Sequence, residues 1–137
     1  MNIITVLLFG FGAVCVISVV YIIYSFLYAH FSKNVHVCSV EDFEKQLIAT
    51  NDKHIIDVRA PWEFKKYRIT GAINIGYPGI HFRGKIKKLD KTKPVMVYCH
   101  SGYRSKMVIP IFRKAGFKTI YELNRGISSW KKVNKKC

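Results

Sequence analysis

Val97-Tyr98-Cys99-His100-Ser101-Gly102-Tyr103-Arg104-Ser105 reads as a buried strand running out, a short loop, and the start of a helix. Upstream, Pro94 precedes Val95-Met96-Val97-Tyr98, the most strand-like run in the chain; downstream, the helix continues through Met107, Ile111 and Phe112 to Lys114, and Gly116 is placed to end it. In open α/β sheets, ligands sit at the carboxyl ends of strands. A loop in that place can aim its backbone N–H groups inward, at the positive end of the following helix. Gly102 permits the positive φ that such a turn requires. A cysteine held there has its thiolate stabilised, and Arg104 adds a permanent cation that can hold an anion. A lone cysteine at a strand end is usually an inert core thiol. The combination of strand, Cys99, Gly102, Arg104 and helix reverses that reading.

Outward from this stretch, strands and helices alternate. Val35 to Cys38 is extended. Ser39 can cap a helix, with Asp42 three residues on and Phe43, Leu47 and Ile48 on one face. His54-Ile55-Ile56-Asp57-Val58 reads as a buried strand, and Pro61 suits the first turn of a short helix carrying Trp62 and Phe64. Gly71-Ala72-Ile73-Asn74-Ile75 reads as a strand, residues 80–89 as a helix that Gly84 weakens, Lys118 to Tyr121 as a strand, and Gly126 through Trp130 as the last helix. Such alternation predicts a parallel α/β sheet flanked by helices on both faces. Trp62, Phe64 and Trp130 are expected in the core.

Several of these motifs together resemble the rhodanese family. Cys99-His100-Ser101-Gly102-Tyr103-Arg104-Ser105 is similar to the family's Cys-x-x-Gly-x-Arg-Ser active-site loop. Ile56-Asp57-Val58-Arg59, Trp62-Glu63-Phe64 and Gly71-Ala72-Ile73-Asn74-Ile75 resemble its first signature, and Leu123 to Trp130 its last. The likeness runs from about Val35 to Val133 in the family's order. It departs at Tyr67-Arg68-Ile69, where Gly-His-Ile is common, at Gly76, where proline often stands, and at Arg125-Gly126, where a Gly-Gly pair is usual.

The resemblance implies a rhodanese-like fold and a sulfurtransferase that needs no metal or other cofactor. Cys99 is implied as the catalytic nucleophile, carrying sulfur as a persulfide between a small anionic donor such as thiosulfate and a thiol acceptor. His100, Ser101, Gly102, Tyr103, Arg104 and Ser105 form the implied substrate-binding loop, its N–H groups stabilising the sulfur anion. Arg104 is assigned to anion binding or loop bracing, and Ser101 and Tyr103 to the pocket mouth. His100 is not assigned as a base, because adjacent residues in a tight loop usually point apart. Asp57 and Arg59 are candidate supporting residues, expected as a structural ion pair or a loop-to-loop hydrogen bond, with Glu63 a possible partner of Arg59. Two rivals stay open: a non-catalytic membrane adaptor on the same fold, and a cysteine phosphatase or arsenate reductase. The latter's loops place five residues between Cys and Arg, where four separate Cys99 from Arg104.

The rest of the chain is divided by charge. Between Ile3 and Ala29 no Lys, Arg, Asp or Glu occurs, whereas all 23 basic and 8 acidic residues come from Lys33 onward, giving a net charge of +15. A helix of about 27 residues reaches about 40 Å, enough to cross a bilayer, and Tyr21, Tyr24 and Tyr28 suit an aromatic belt at its end. We therefore expect a transmembrane helical anchor in residues 1–29, a short linker in 30–34 and a rhodanese-like domain in 35–137. Basic residues follow the span, which predicts a single-pass protein with its domain on the cytoplasmic side. The positive charge suits membrane lipid headgroups first and an anionic substrate second. No helix-turn-helix, zinc or RNP pattern supports nucleic acid as a partner.

Overall fold

The computed structural model of the chain describes residues 14–23 and 34–134. The chain divides into two compact units, Met1–Asn34 and Val35–Cys137. In the first, residues 14–23 are helical. Most of the apolar run expected to span a membrane lies outside the described residues, and no helix among those described is long and apolar enough to cross one.

The second unit runs β1 (Val35–Cys38), α1 (Val40–Ala49), β2 (His54–Asp57), α2 (Pro61–Lys66), β3 (Ile73–Asn74), α3 (Phe82–Lys88), β4 (Val95–Tyr98), α4 (Tyr103–Lys114), β5 (Ile120–Leu123) and α5 (Gly126–Asn134). The strands form a five-stranded sheet in the order β1-β5-β4-β2-β3, with every pairing parallel.

Side-chain alternation along the strands builds two cores. On one face, Val95, Val97 and Cys99 join Ile56, Val58 and Ile120 beneath Phe82 and Ile86 of α3 and Val108 and Phe112 of α4. On the other, Met96 and Tyr98 join Ile55 and Leu123 beneath Phe43 of α1 and Ile127 and Trp130 of α5. Every residue of β4 is buried, as a central parallel strand covered on both faces should be. The edge strands β1 and β3 leave Val37 and Ile73 exposed.

The capping signal at Ser39 forms: its Oγ accepts from the Asp42 N–H at 3.1 Å. Other expectations shift. The strand expected over residues 71–75 shortens to Ile73–Asn74, where it pairs with Ile56 and Asp57. The last strand begins at Ile120, because parallel pairing sets Ile120 opposite Val95. Trp62 is 70% exposed instead of in the core, since α2 is a short helix at the rim with no buried residue.

The chain leaves β2 toward β3 and leaves β4 toward β5, on opposite sides. The strand order thus reverses between β2 and β4, and the loops after these neighbouring strands diverge. Such a switch point opens a crevice at the carboxyl ends of the strands.

Candidate active site

Cys99 stands at this switch point, one residue beyond β4. It is buried, and its sulfur accepts a hydrogen bond from the Gly102 N–H at 3.1 Å. That bond requires the chain to turn sharply within three residues. Gly102 has φ +93°, and a Cβ there would stand 3.1 Å from the Arg125 backbone nitrogen. Its position and freedom from a side chain are therefore both used. Ser105, in the first turn of α4, sets its Oγ 3.5 Å from the sulfur. The same Oγ lies 3.1 Å from the Gly102 carbonyl and 2.6 Å from Glu122 Oε1 on β5.

The loop is held from behind by the start of α5. The Ile127 N–H donates to the Cys99 carbonyl at 2.8 Å, and the Ser128 N–H and hydroxyl both donate to the His100 carbonyl, at 3.1 and 2.8 Å. This contact is so close that a Cβ on Gly126 would fall 2.4 Å from the Cys99 oxygen. Arg125 and Gly126 both have φ +59°, which gives a physical reason for the Gly-Gly pair common at this place in the family.

Arg104 points sideways, toward α2. Its Nη1 and Nη2 donate to Glu63 Oε2 and Oε1 at 2.9 and 3.0 Å, a two-pronged ion pair. Hydrogen bonding to Arg104 holds the Glu63 carboxyl below its ordinary value, despite partial burial. The reciprocal bond raises the Arg104 guanidinium above its own. Glu63 also accepts from the Ala60 N–H at 3.0 Å, capping α2. His100 is exposed, with Nδ1 3.9 Å from Glu63 Oε1, whereas the bonds recorded at the Cys99 sulfur come from Gly102 and Ser105. Ser101 and Tyr103 are exposed.

The loop after β2 is built differently. Arg59, 3% exposed, pairs with fully buried Asp57 at 2.6 Å. Its Nη2 also donates to the Tyr67 carbonyl at 2.6 Å. Asn74 Nδ2 donates to the carbonyls of Asp57 and Arg59 at 3.0 and 2.8 Å. Glu63 is thus the partner of Arg104, not of Arg59, and the Asp57–Arg59 pair turns inward, against the Tyr67 carbonyl and the Tyr98 ring. A cavity of about 440 Å³ adjoins the site, walled by Ala60, Pro61, Tyr77, Lys85 and Arg104 among others. No cluster that could hold a metal occurs among the described residues.

Sequence reading placed Cys99, Gly102, Arg104 and Ser105 together, and they are together. It did not single out Glu122, a buried carboxyl two contacts from the sulfur, or Asn74. Glu63 was expected only as a possible partner of Arg59, although Pro61 at the first helical position puts it where a helix-capping carboxylate belongs.

Comparison with known proteins agrees with this architecture. The model of the rhodanese-like domain matches residues 39–133. The thiosulfate sulfurtransferase GlpE of Coxiella burnetii is 33% identical over 86 residues, covering 63% of this chain and 78% of that protein. The putative sulfur carrier protein YrkF of Bacillus subtilis is 29% identical over 92 residues, 67% of this chain but 49% of that one. A tRNA uridine(34) hydroxylase of Pelagibacter ubique is 32% identical over 66% of this chain, which spans only 31% of the hydroxylase. Among solved structures, a rhodanese-related protein of Thermoplasma volcanium superposes with a TM-score of 0.62 at 28% identity, covering 72% of this chain and 92% of that one. With a matching family model over most of its length and the strand–loop–helix geometry at Cys99, the chain belongs to the rhodanese-like domain family.

Proposed function

We propose that the chain is a sulfurtransferase that moves sulfane sulfur from an anionic donor such as thiosulfate to a thiol acceptor through a persulfide on Cys99. The observation that carries this is the Gly102 N–H bond to the Cys99 sulfur, in a loop braced on both sides. In the first step the Cys99 thiolate attacks the outer sulfur of the donor. The donor's S–S bond breaks and sulfite leaves with the electron pair. In the second, an acceptor thiolate attacks the outer sulfur of the Cys99 persulfide, takes it, and returns Cys99 as a thiolate. Each step exchanges one sulfur–sulfur bond or persulfide for another, so no redox partner is consumed. A backbone donor aimed at the sulfur stabilises both anionic states without reorganising. Arg104, held by Glu63, positions the helix start and keeps a cation near the incoming anion.

The GlpE and YrkF likenesses support a sulfur donor and a thiol acceptor as partners. Residues 1–29 are further proposed as a single membrane anchor with the domain on the cytoplasmic side, supported by the lack of charged side chains there and by the basic residues that follow. Steady-state kinetics of the full chain in detergent test the transfer. Parallel lines in double-reciprocal plots for donor and acceptor, with activity abolished in Cys99→Ala, are the expected result. Intersecting lines, or activity in the alanine variant, would refute the persulfide route.

A further inference from the structure

Glu122 lies on β5, between the edge strand β1 and the central strand β4, on the face covered by α4, and is fully buried. Its register partners on both neighbouring strands are apolar, Val37 on β1 and Val97 on β4. One carboxyl oxygen, Oε1, is 2.6 Å from Ser105 Oγ, which is 3.5 Å from the Cys99 sulfur. The other, Oε2, has no hydrogen-bond partner among the described residues. A buried carboxylate needs its lone pairs satisfied, and one bare oxygen in an apolar surround makes the ionised form costly.

The Ser105 hydroxyl has a single proton to give. If Glu122 were ionised, that proton would go to its carboxylate and only a lone pair would face the sulfur. If Glu122 is neutral, its own proton can go to Ser105 Oγ, and the Ser105 proton is free for the stronger of the remaining acceptors, a sulfur anion over the Gly102 carbonyl.

We propose that Glu122 is held as a neutral carboxylic acid and acts as a positioning residue for Cys99, donating to Ser105 Oγ so that the Ser105 hydroxyl donates to the Cys99 thiolate or persulfide. This rests on the reading of Cys99 as the sulfur carrier and adds a second donor to the backbone one. Burial raises the Glu122 carboxyl above its ordinary value, with Ser105 and Lys106 of α4 opposing. Two thiols also lie about it, Cys99 beyond β4 and Cys38 on β1. Lys106, the cation that opposes the rise, is exposed.

Two measurements on the full chain in detergent test the proposal. Infrared difference spectra at neutral pH between wild type and Glu122→Gln should show the carbonyl stretch of a protonated carboxylic acid in the wild type alone. Only carboxylate bands would overturn the assignment. The rate of Cys99 alkylation by iodoacetamide against pH, read by peptide mass, then tests the relay. Glu122→Gln, which keeps a neutral donor, should stay within about twofold of wild type with the same pH profile. Glu122→Leu should be about tenfold slower at neutral pH, as fits the loss of a hydrogen bond to a charged sulfur. A Leu variant matching wild type, a Gln variant as slow as Leu, or a Gln variant with its profile moved to lower pH would each overturn it. The last of these would mean that a negative charge had been removed. Alkylation needs no sulfur donor. If thiosulfate loads nothing while these rates behave as expected, the sulfurtransferase reading falls and the relay stands.

Discussion

The loops after β2 and β4 leave neighbouring parallel strands at the same end of the sheet, and both carry an arginine near the strand end. They use it in opposite ways. After β2, Arg59 turns back on Asp57 and the Tyr67 carbonyl, and Asn74 ties the loop's own carbonyls. The Arg59 guanidinium also lies over the Tyr98 ring, so this loop is tied inward to the end of α2, to β3 and to β4. After β4, Arg104 turns outward to Glu63 on another element, and the backbone N–H of Gly102 is left to the sulfur. A loop whose arginine is buried and turned inward is a brace. One whose arginine turns outward leaves its backbone donor to a reacting atom.

Four substitutions break or sharpen this contrast. Asp57→Ala has the largest expected effect. It strands the buried Arg59 charge and should cost about 3–5 kcal/mol in urea unfolding, while the folded fraction still takes up sulfur. Gly126→Ala drives a Cβ into the Cys99 carbonyl. It should cost about 1–3 kcal/mol and, unlike the Asp57 change, also slow persulfide formation in the protein that remains folded.

Glu63→Gln should cost about 1 kcal/mol, because the Arg104 pair is partly exposed. Here pH gives the sign. The Glu63 carboxyl is lowered in the fold from its ordinary 4.5, so its contribution is present above that value. It is lost as pH falls through the native one. The stability gap between wild type and Glu63→Gln should therefore close in acid; a gap that widens there would contradict the assignment. The smallest effect is expected from Arg125→Gly, which relieves a left-handed backbone at φ +59°. It should stabilise by about 0.5 kcal/mol after the entropy of the added glycine is counted.

What was legible in the sequence was local. The β4 strand, the Gly102 turn and the helix beyond it are encoded within twenty residues, and hydrophobic runs with a glycine between them can be read directly. The Ser39 cap was legible for the same reason. What was hidden depends on separation along the chain. Glu63 and Arg104 are 41 residues apart, and either could have paired with several opposite charges. Glu122 lies just past Tyr121, where the strand was expected to end, whereas the strand runs on to Leu123 and buries it. Trp62 was expected inside because large aromatics usually are, yet a six-residue helix at the rim has nothing to bury it against. The anchor expected in residues 1–29 falls mostly outside the described residues, and its reading rests on hydropathy and charge.

The most direct test of the central claim is the mass of the full chain before and after thiosulfate, with peptide mapping to place any gain. One added sulfur atom on Cys99, removed by dithiothreitol and absent from Cys99→Ala, is the result this account predicts. No gain at any thiosulfate concentration, or a gain carried by Cys15, Cys38 or Cys137 with Cys99 untouched, would contradict it.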